Sequence, residues 1–237
     1  MRVAIMQPTY LPWCGYFEMI SSVDVFVLLD NVQFERSSWQ HRNRVKGPSG
    51  EVLLSLPVKS ANKFPQLLKD VELSNPEYDL QKHLKAIELY YSKGSNYLPI
   101  IEKIRKIYSD KNLMLSEINE NLIRFICQEL KIKTKLVKGS ELIAKGKKTE
   151  LSLNQCLELN ATVFYAAGGS REYVDLEDGF YANNIKVEYQ NYRQPVYPQL
   201  FGDFIPQLSV IDLLFNCGQK SLEIINSGKT LIESDNQ

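Results

Sequence analysis

The sequence predicts an α/β protein on a mostly parallel open sheet, with a helical insertion or cover around residues 76–132. Three observations predict it. Short apolar runs at 2–6, 23–29 and 161–166 each stop abruptly at a loop, as buried strands do. Helix-like stretches separate the runs, which implies right-handed crossovers and parallel pairing. From Pro76 to about Ile132 the apolar residues keep helical spacing throughout.

Taken in order, residues 2–6 form a buried strand that ends at Gln7-Pro8, and residues 15–22 form a short helix. Residues 23–29 give a second strand ending on Asp30. Residues 52–58 read as a third strand after the turn signal Gly47-Pro48-Ser49-Gly50, which could equally close a hairpin. In the helical stretch Leu80, Leu84, Ile87 and Tyr91 share a face, as do Ile100, Ile104 and Ile107. Leu115, Ile118, Leu122, Ile126 and Leu130 repeat the pattern, so two or three helices are expected. Asn75-Pro76 is a helix start. Short strands follow at 133–138 and 161–166, a helix begins at Thr149, and 185–192 alternates like a half-exposed strand. The last helix spans 209–225. These elements fit one α/β domain over 1–226, with 227–237 as a weakly ordered tail.

Composition narrows the function classes. Lys+Arg and Asp+Glu balance at 28 each, so no global field draws the chain onto nucleic acid or an anionic membrane. No apolar run approaches the ~20 residues of a membrane span, and no targeting segment opens the chain, so a cytoplasmic location is expected. Cys14, Cys127, Cys156 and Cys217 show no paired spacing, which argues against zinc or a disulfide framework. Cys14 lies inside the first loop, but no histidine adjoins it to activate the thiol.

The chemistry concentrates after the first two strands. Ligands of open parallel sheets sit beyond the carboxyl ends of the strands. Gln7, Tyr10, Trp13 and Tyr16 crowd the first such loop, and Gly15 opens a helix whose free N–H groups could seat a phosphate. Gln33, Arg36, Trp39, Gln40, Arg42, Asn43, Arg44 and Lys46 crowd the second, read as a basic loop. Guanidinium groups there suit phosphate or carboxylate, amides suit a sugar or base, and indoles stack. His41 is the general acid or base candidate, because imidazole titrates near neutrality. His83, beside lysines in a helix, reads as a surface residue. Asp30 could bind a ribose hydroxyl, orient a base or cap a turn. No histidine spacing suggests a metal site.

Several of these stretches carry a resemblance. They are Ile5-Met6-Gln7-Pro8-Thr9-Tyr10-Leu11-Pro12-Trp13 with Gly15-Tyr16-Phe17, then Asp30-Asn31-Val32-Gln33-Phe34. Next come Ser38-Trp39-Gln40-His41-Arg42-Asn43-Arg44 and Thr149-Glu150. The last is Leu208-Ser209-Val210-Ile211-Asp212-Leu213-Leu214-Phe215-Asn216 with Gly218. On these the chain resembles the WbqC-like family over nearly its whole length. That family is associated with bacterial O-antigen and other surface-polysaccharide gene clusters. The resemblance implies work on a nucleotide-linked amino sugar, with acyl or aminoacyl transfer to form an amide.

More remotely, the strand, proline loop and glycine at the helix start resemble the nucleotidylyltransferase superfamily, which implies a Rossmann-like fold. Where that superfamily has His-x-Gly-His, this chain has Trp13-Cys14-Gly15-Tyr16, and Leu208-Ser209 resembles its late motif loosely. Two rival expectations stand beside acyl transfer. One is an ATP-dependent adenylating ligase, with Asp30 and Asp212 as magnesium ligands. The other is a non-catalytic sugar-nucleotide binding module.

Overall fold

Five strands form a wholly parallel sheet in a computed structural model that describes residues 1–61, 63, 65–110, 113–174 and 179–230. They are β1 (Arg2–Met6), β2 (Val25–Leu28), β5 (Lys135–Lys138), β6 (Val163–Ala166) and β7 (Lys186–Tyr189), in the order β5-β2-β1-β6-β7. The chain therefore winds outward from β1 on one side through β2 and β5, and on the other through β6 and β7. This is the Rossmann-like order, with its switch point between β1 and β6. The expected parallel pairing of the first two strands is present, with Val3 opposite Val25 and Met6 opposite Leu28.

Alternation along the strands divides the core. Ala4, Phe26, Leu28 and Tyr165 face one apolar cluster, shared with Phe17 and Ile20 of α1 (Cys14–Ser21). Val3, Val25, Val27, Phe164 and Ala166 face another. There Phe180 of α7 (Gly179–Ala182) stacks on Phe164, and Cys156 of α5 (Lys148–Glu158) joins them. Coverage of both faces is what a parallel sheet requires.

The helical cover consists of three helices, α2 (Pro76–Tyr91), α3 (Tyr97–Tyr108) and α4 (Leu115–Glu129). The Asn75 side chain caps α2 by accepting from the N–H of Tyr78, and Pro76 takes the first turn. Leu80, Ile87, Ile104, Leu122 and Ile126 are fully buried and join the α1 cluster. Each such side chain contributes about 1.5–3 kcal/mol.

Three expectations need correction. Residues 42–46 are not a loop but strand β3 (Arg42–Gly47). It pairs antiparallel with β4 (Gly50–Ser55), so the 52–58 stretch closes a hairpin outside the main sheet. The two-residue Pro48-Ser49 link sets that register. His83 is not at the surface but buried on the inner face of α2. The last helix is two, α8 (Val210–Cys217) and α9 (Ser221–Ser227). Gly218 separates them with φ +52°, and a Cβ there would meet the Asn96 side chain at 2.2 Å. Two short helices, α6 (Arg171–Val174) and α7, precede β7, and after α9 Lys229 forms an isolated bridge with Tyr192 while the N–H of Thr230 donates to the Asn191 carbonyl. The rest of the expected tail, 231–237, lies outside the described residues.

Candidate functional site

Three segments are laced together beyond the carboxyl end of β1. The N–H of Tyr10 donates to the Trp39 carbonyl, that of Val210 to Pro12, and that of Ser209 to Arg44. Trp13 and Ser209 form an isolated antiparallel bridge. Buried amides reinforce the lacing. Asn43 Nδ2 donates to the carbonyls of Tyr10 and Leu11, at 3.1 and 2.7 Å. Asn119 Nδ2, from α4, donates to those of Pro8 and Gln40. Gln40 Nε2 donates to Gln7 Oε1 at 2.9 Å.

Between these segments opens a pocket of about 250 Å³. Met6, Thr9, Trp13 and Tyr16 line it from the β1 side, and Trp39, Asn43, Arg44 and Gln207 from the other. β3 puts Arg42, Arg44 and Lys46 on one strand face, because alternate residues point the same way. Arg42 and Arg44 lie over the Trp39 ring, at 5.7 and 5.3 Å from its centroid. Trp39 is 47% exposed, which is unusual for an indole held in place. Arg44 Nη1 pairs with Glu51 at 2.8 Å, while its Nε has no hydrogen-bond partner among the described residues. Arg42 spends Nη2 on the Ser37 carbonyl, and its Nε likewise has no partner among the described residues.

Of the residues expected at a site, the pocket thus gathers Trp13, Tyr16, Trp39, Asn43 and Arg44, with Arg42 beside them. Gln7, Gly15 and Ser209 stand directly behind this wall. Gly15 is buried beneath the Trp13 indole, which packs edge-on to Tyr192 at 5.5 Å. Tyr10 is placed elsewhere. Its hydroxyl meets His83 Nδ1 at 2.8 Å and the Tyr108 hydroxyl, deep against the helical cover. Burial pushes the Tyr10 hydroxyl far above its ordinary range and lowers His83 to about 4. Gln33 pairs its backbone with Leu67, Arg36 Nη2 donates to the Ser60 carbonyl, and Gln40 is fully enclosed. Met6, Thr9 and Gln207, none of them expected at a site, complete the pocket.

His41 and Asp30 are both engaged within the protein. His41 Nδ1 faces the Leu56 carbonyl at 3.0 Å and Nε2 that of Arg36 at 2.8 Å. A ring flanked this way turns no lone pair toward the pocket. Asp30 accepts from Ser140 through both oxygens, from its N–H and its hydroxyl at 2.7 Å each, tying the end of β2 to the turn after β5. Asp212 is fully buried and accepts from the Tyr91 and Tyr197 hydroxyls, at 2.8 and 3.0 Å. Burial raises its carboxyl, against those two hydrogen bonds and the charge of Lys46. Lys46, equally enclosed, donates to the Gly202 and Asp203 carbonyls and so anchors the 199–207 segment. Cys14 is buried, and burial first and Asp212 second push its thiol upward, away from nucleophilic use.

Magnesium does not fit the two carboxylates expected to hold it. Asp212 presents no oxygen outward, and Asp30 has both oxygens on Ser140. Among the described residues no three His, Cys, Asp or Glu side chains converge on a cation position. No helix among them is long and apolar enough to cross a membrane.

Fold and pocket define a class: an α/β protein of Rossmann-like strand order with an aromatic and arginine-lined pocket at the carboxyl edge of its sheet. The chain belongs to the WbqC-like protein family, whose model matches residues 7–224. It is 34% identical over 224 residues to the uncharacterized protein Rv1507c of Mycobacterium tuberculosis, covering 93% of this chain and 95% of that one. No solved structure matches it significantly.

Proposed function

We propose that the protein is a transferase of surface-polysaccharide, O-antigen-type biosynthesis. It binds a nucleotide-linked amino sugar and transfers an acyl or aminoacyl group to the amine, forming an amide. One observation carries recognition: Arg44, with a single guanidinium hydrogen bond among the described residues, shares a pocket with two indoles. That combination suits a phosphorylated ring compound. Support for the biosynthetic setting comes from the association of the family with surface-polysaccharide gene clusters, and the transfer step is what the resemblance implies for that setting.

In the transfer, the amine lone pair attacks the acyl carbonyl, the C–N bond forms, the donor's leaving group departs with its electron pair, and the amine sheds a proton. His41 receives that proton once Nε2 has left the Arg36 carbonyl, on a segment whose residues 35–37 and 39 are exposed. Asp30 acts as a positioning residue, holding Ser140 and the strand ends.

A thermal-shift panel of UDP-, dTDP- and GDP-linked amino sugars without magnesium, with ATP–magnesium beside them, tests this. Ligand at about 100 times Kd stabilises by about 2.7 kcal/mol. A shift with a sugar nucleotide alone is expected. A response to ATP–magnesium only would favour an adenylating ligase, and silence across the panel would remove the proposal. His41→Ala should keep affinity and lose turnover, whereas a binding module has no turnover to lose.

A further inference from the structure

We infer that the pocket takes the nucleobase of the nucleotide, leaving the diphosphate along Arg44 and Arg42 and the sugar outside. This rests on the sugar-nucleotide function proposed above. Size is the first argument. At about 250 Å³ the pocket falls below the ~300–1,000 Å³ that encloses a drug-sized ligand, so it holds one ring system of a nucleotide sugar and not the whole.

Polarity decides which ring. A pyranose brings a hydroxyl on most of its carbons, and each one buried without a partner costs about 1–3 kcal/mol. The walls offer few partners. Asn43 has spent its amide nitrogen on two carbonyls and its oxygen on the Arg44 N–H, and the Tyr16 hydroxyl donates to the Gln7 carbonyl. The polar groups left in the lining are Thr9, Gln207, Arg44 and the indole N–H donors of Trp13 and Trp39, with the Tyr16 hydroxyl oxygen as an acceptor, too few for a ring that carries a hydroxyl on most of its carbons. A flat base instead needs partners only along its edge, and offers its faces to Trp13 and Trp39. Arg42 and Arg44, both against Trp39, then lie where the phosphates leave the pocket.

Titration calorimetry of the full chain separates the alternatives, using UDP, dTDP and GDP, their amino-sugar conjugates, and glucosamine 1-phosphate. One free nucleoside diphosphate should bind within about tenfold of its own conjugate, with the sugar phosphate at least about a hundredfold weaker. Trp39→Ala should weaken both nucleotide ligands by roughly ten- to a hundredfold, while Trp39→Phe restores stacking. Trp39 is half exposed, so an unchanged melting temperature checks that the variant folds. A conjugate that binds when its nucleoside diphosphate does not, or a sugar phosphate that binds as well, would place the sugar in the pocket and overturn the inference alone. If no conjugate binds, the proposed function falls and takes the inference with it.

Discussion

The indole of Trp13 lies directly on Gly15, its Cζ2 atom 2.3 Å from where a Cβ at position 15 would stand. Glycine is needed there for room, so the residue expected to open a phosphate seat instead lets an aromatic wall close over the start of α1. Gly15→Ala should push the indole off this perch and reshape the pocket. Both tryptophans of the chain, Trp13 and Trp39, line that pocket, so emission reports on it directly. A shifted emission maximum and weaker ligand binding are expected in the variant. An unchanged spectrum would show that Trp13 does not depend on the glycine.

Arg44 and Glu51 pair diagonally across the β3–β4 hairpin, where Leu53 stands opposite Arg44, and this partly exposed pair contributes little to stability. Its consequence is for ligand charge. Arg44→Ala should weaken binding of an anionic ligand roughly ten- to a hundredfold, matching the ~1.5–3 kcal/mol of a charged hydrogen bond. Glu51→Gln should strengthen it by releasing the guanidinium. Calorimetry on the two variants checks the opposite signs, and equal effects would refute the assignment.

Asn119 stands outside the pocket, yet its amide holds both loops that form it, through the carbonyls of Pro8 and Gln40. Asn119→Ala orphans two buried acceptors and should cost about 1–3 kcal/mol in urea denaturation. Ligand affinity should fall with it. Stability lost with affinity intact would mean that the loops keep their geometry without this tie.

His83 predicts a pH dependence. The folded ring stays neutral down to about pH 4, whereas in the unfolded chain it takes a proton near its ordinary 6.5. Between these values the unfolded state binds more protons, so stability rises with pH. The contribution is full above pH 6.5 and is lost as pH falls toward 4, roughly 3 kcal/mol in all. Denaturation midpoints of the wild type and His83→Asn at pH 7 and 4.5 test it. The wild type should lose more, and parallel losses would contradict the buried neutral ring.

What the sequence made legible was what local pattern encodes. The strands of the main sheet are short apolar or alternating stretches and the covering helices are helical stripes, so they stood out. Trp13, Trp39 and Arg44 stood out because their residue types suit ligands better than cores. β3 was hidden by its charges: its three cations read with Arg36 as a basic loop, although Arg42, Arg44 and Lys46 alternate with buried Asn43 and Val45. His83 was hidden because its partner Tyr10 lies 73 residues away. Gln207 reaches the pocket only because Ser209 pairs with Trp13 and Arg44, a long-range arrangement that no local pattern announces. Asp30 looked like a ligand because it ends a strand, and the turn after β5 that occupies it begins more than a hundred residues later.

A crystal structure of the complex with whichever amino-sugar nucleotide raises the melting temperature most would test the central claim directly. The ligand should lie between Trp13 and Trp39, with a phosphate oxygen within hydrogen-bond reach of the Arg44 guanidinium. Density for it anywhere else on the molecule, with this pocket holding only water, would contradict the account.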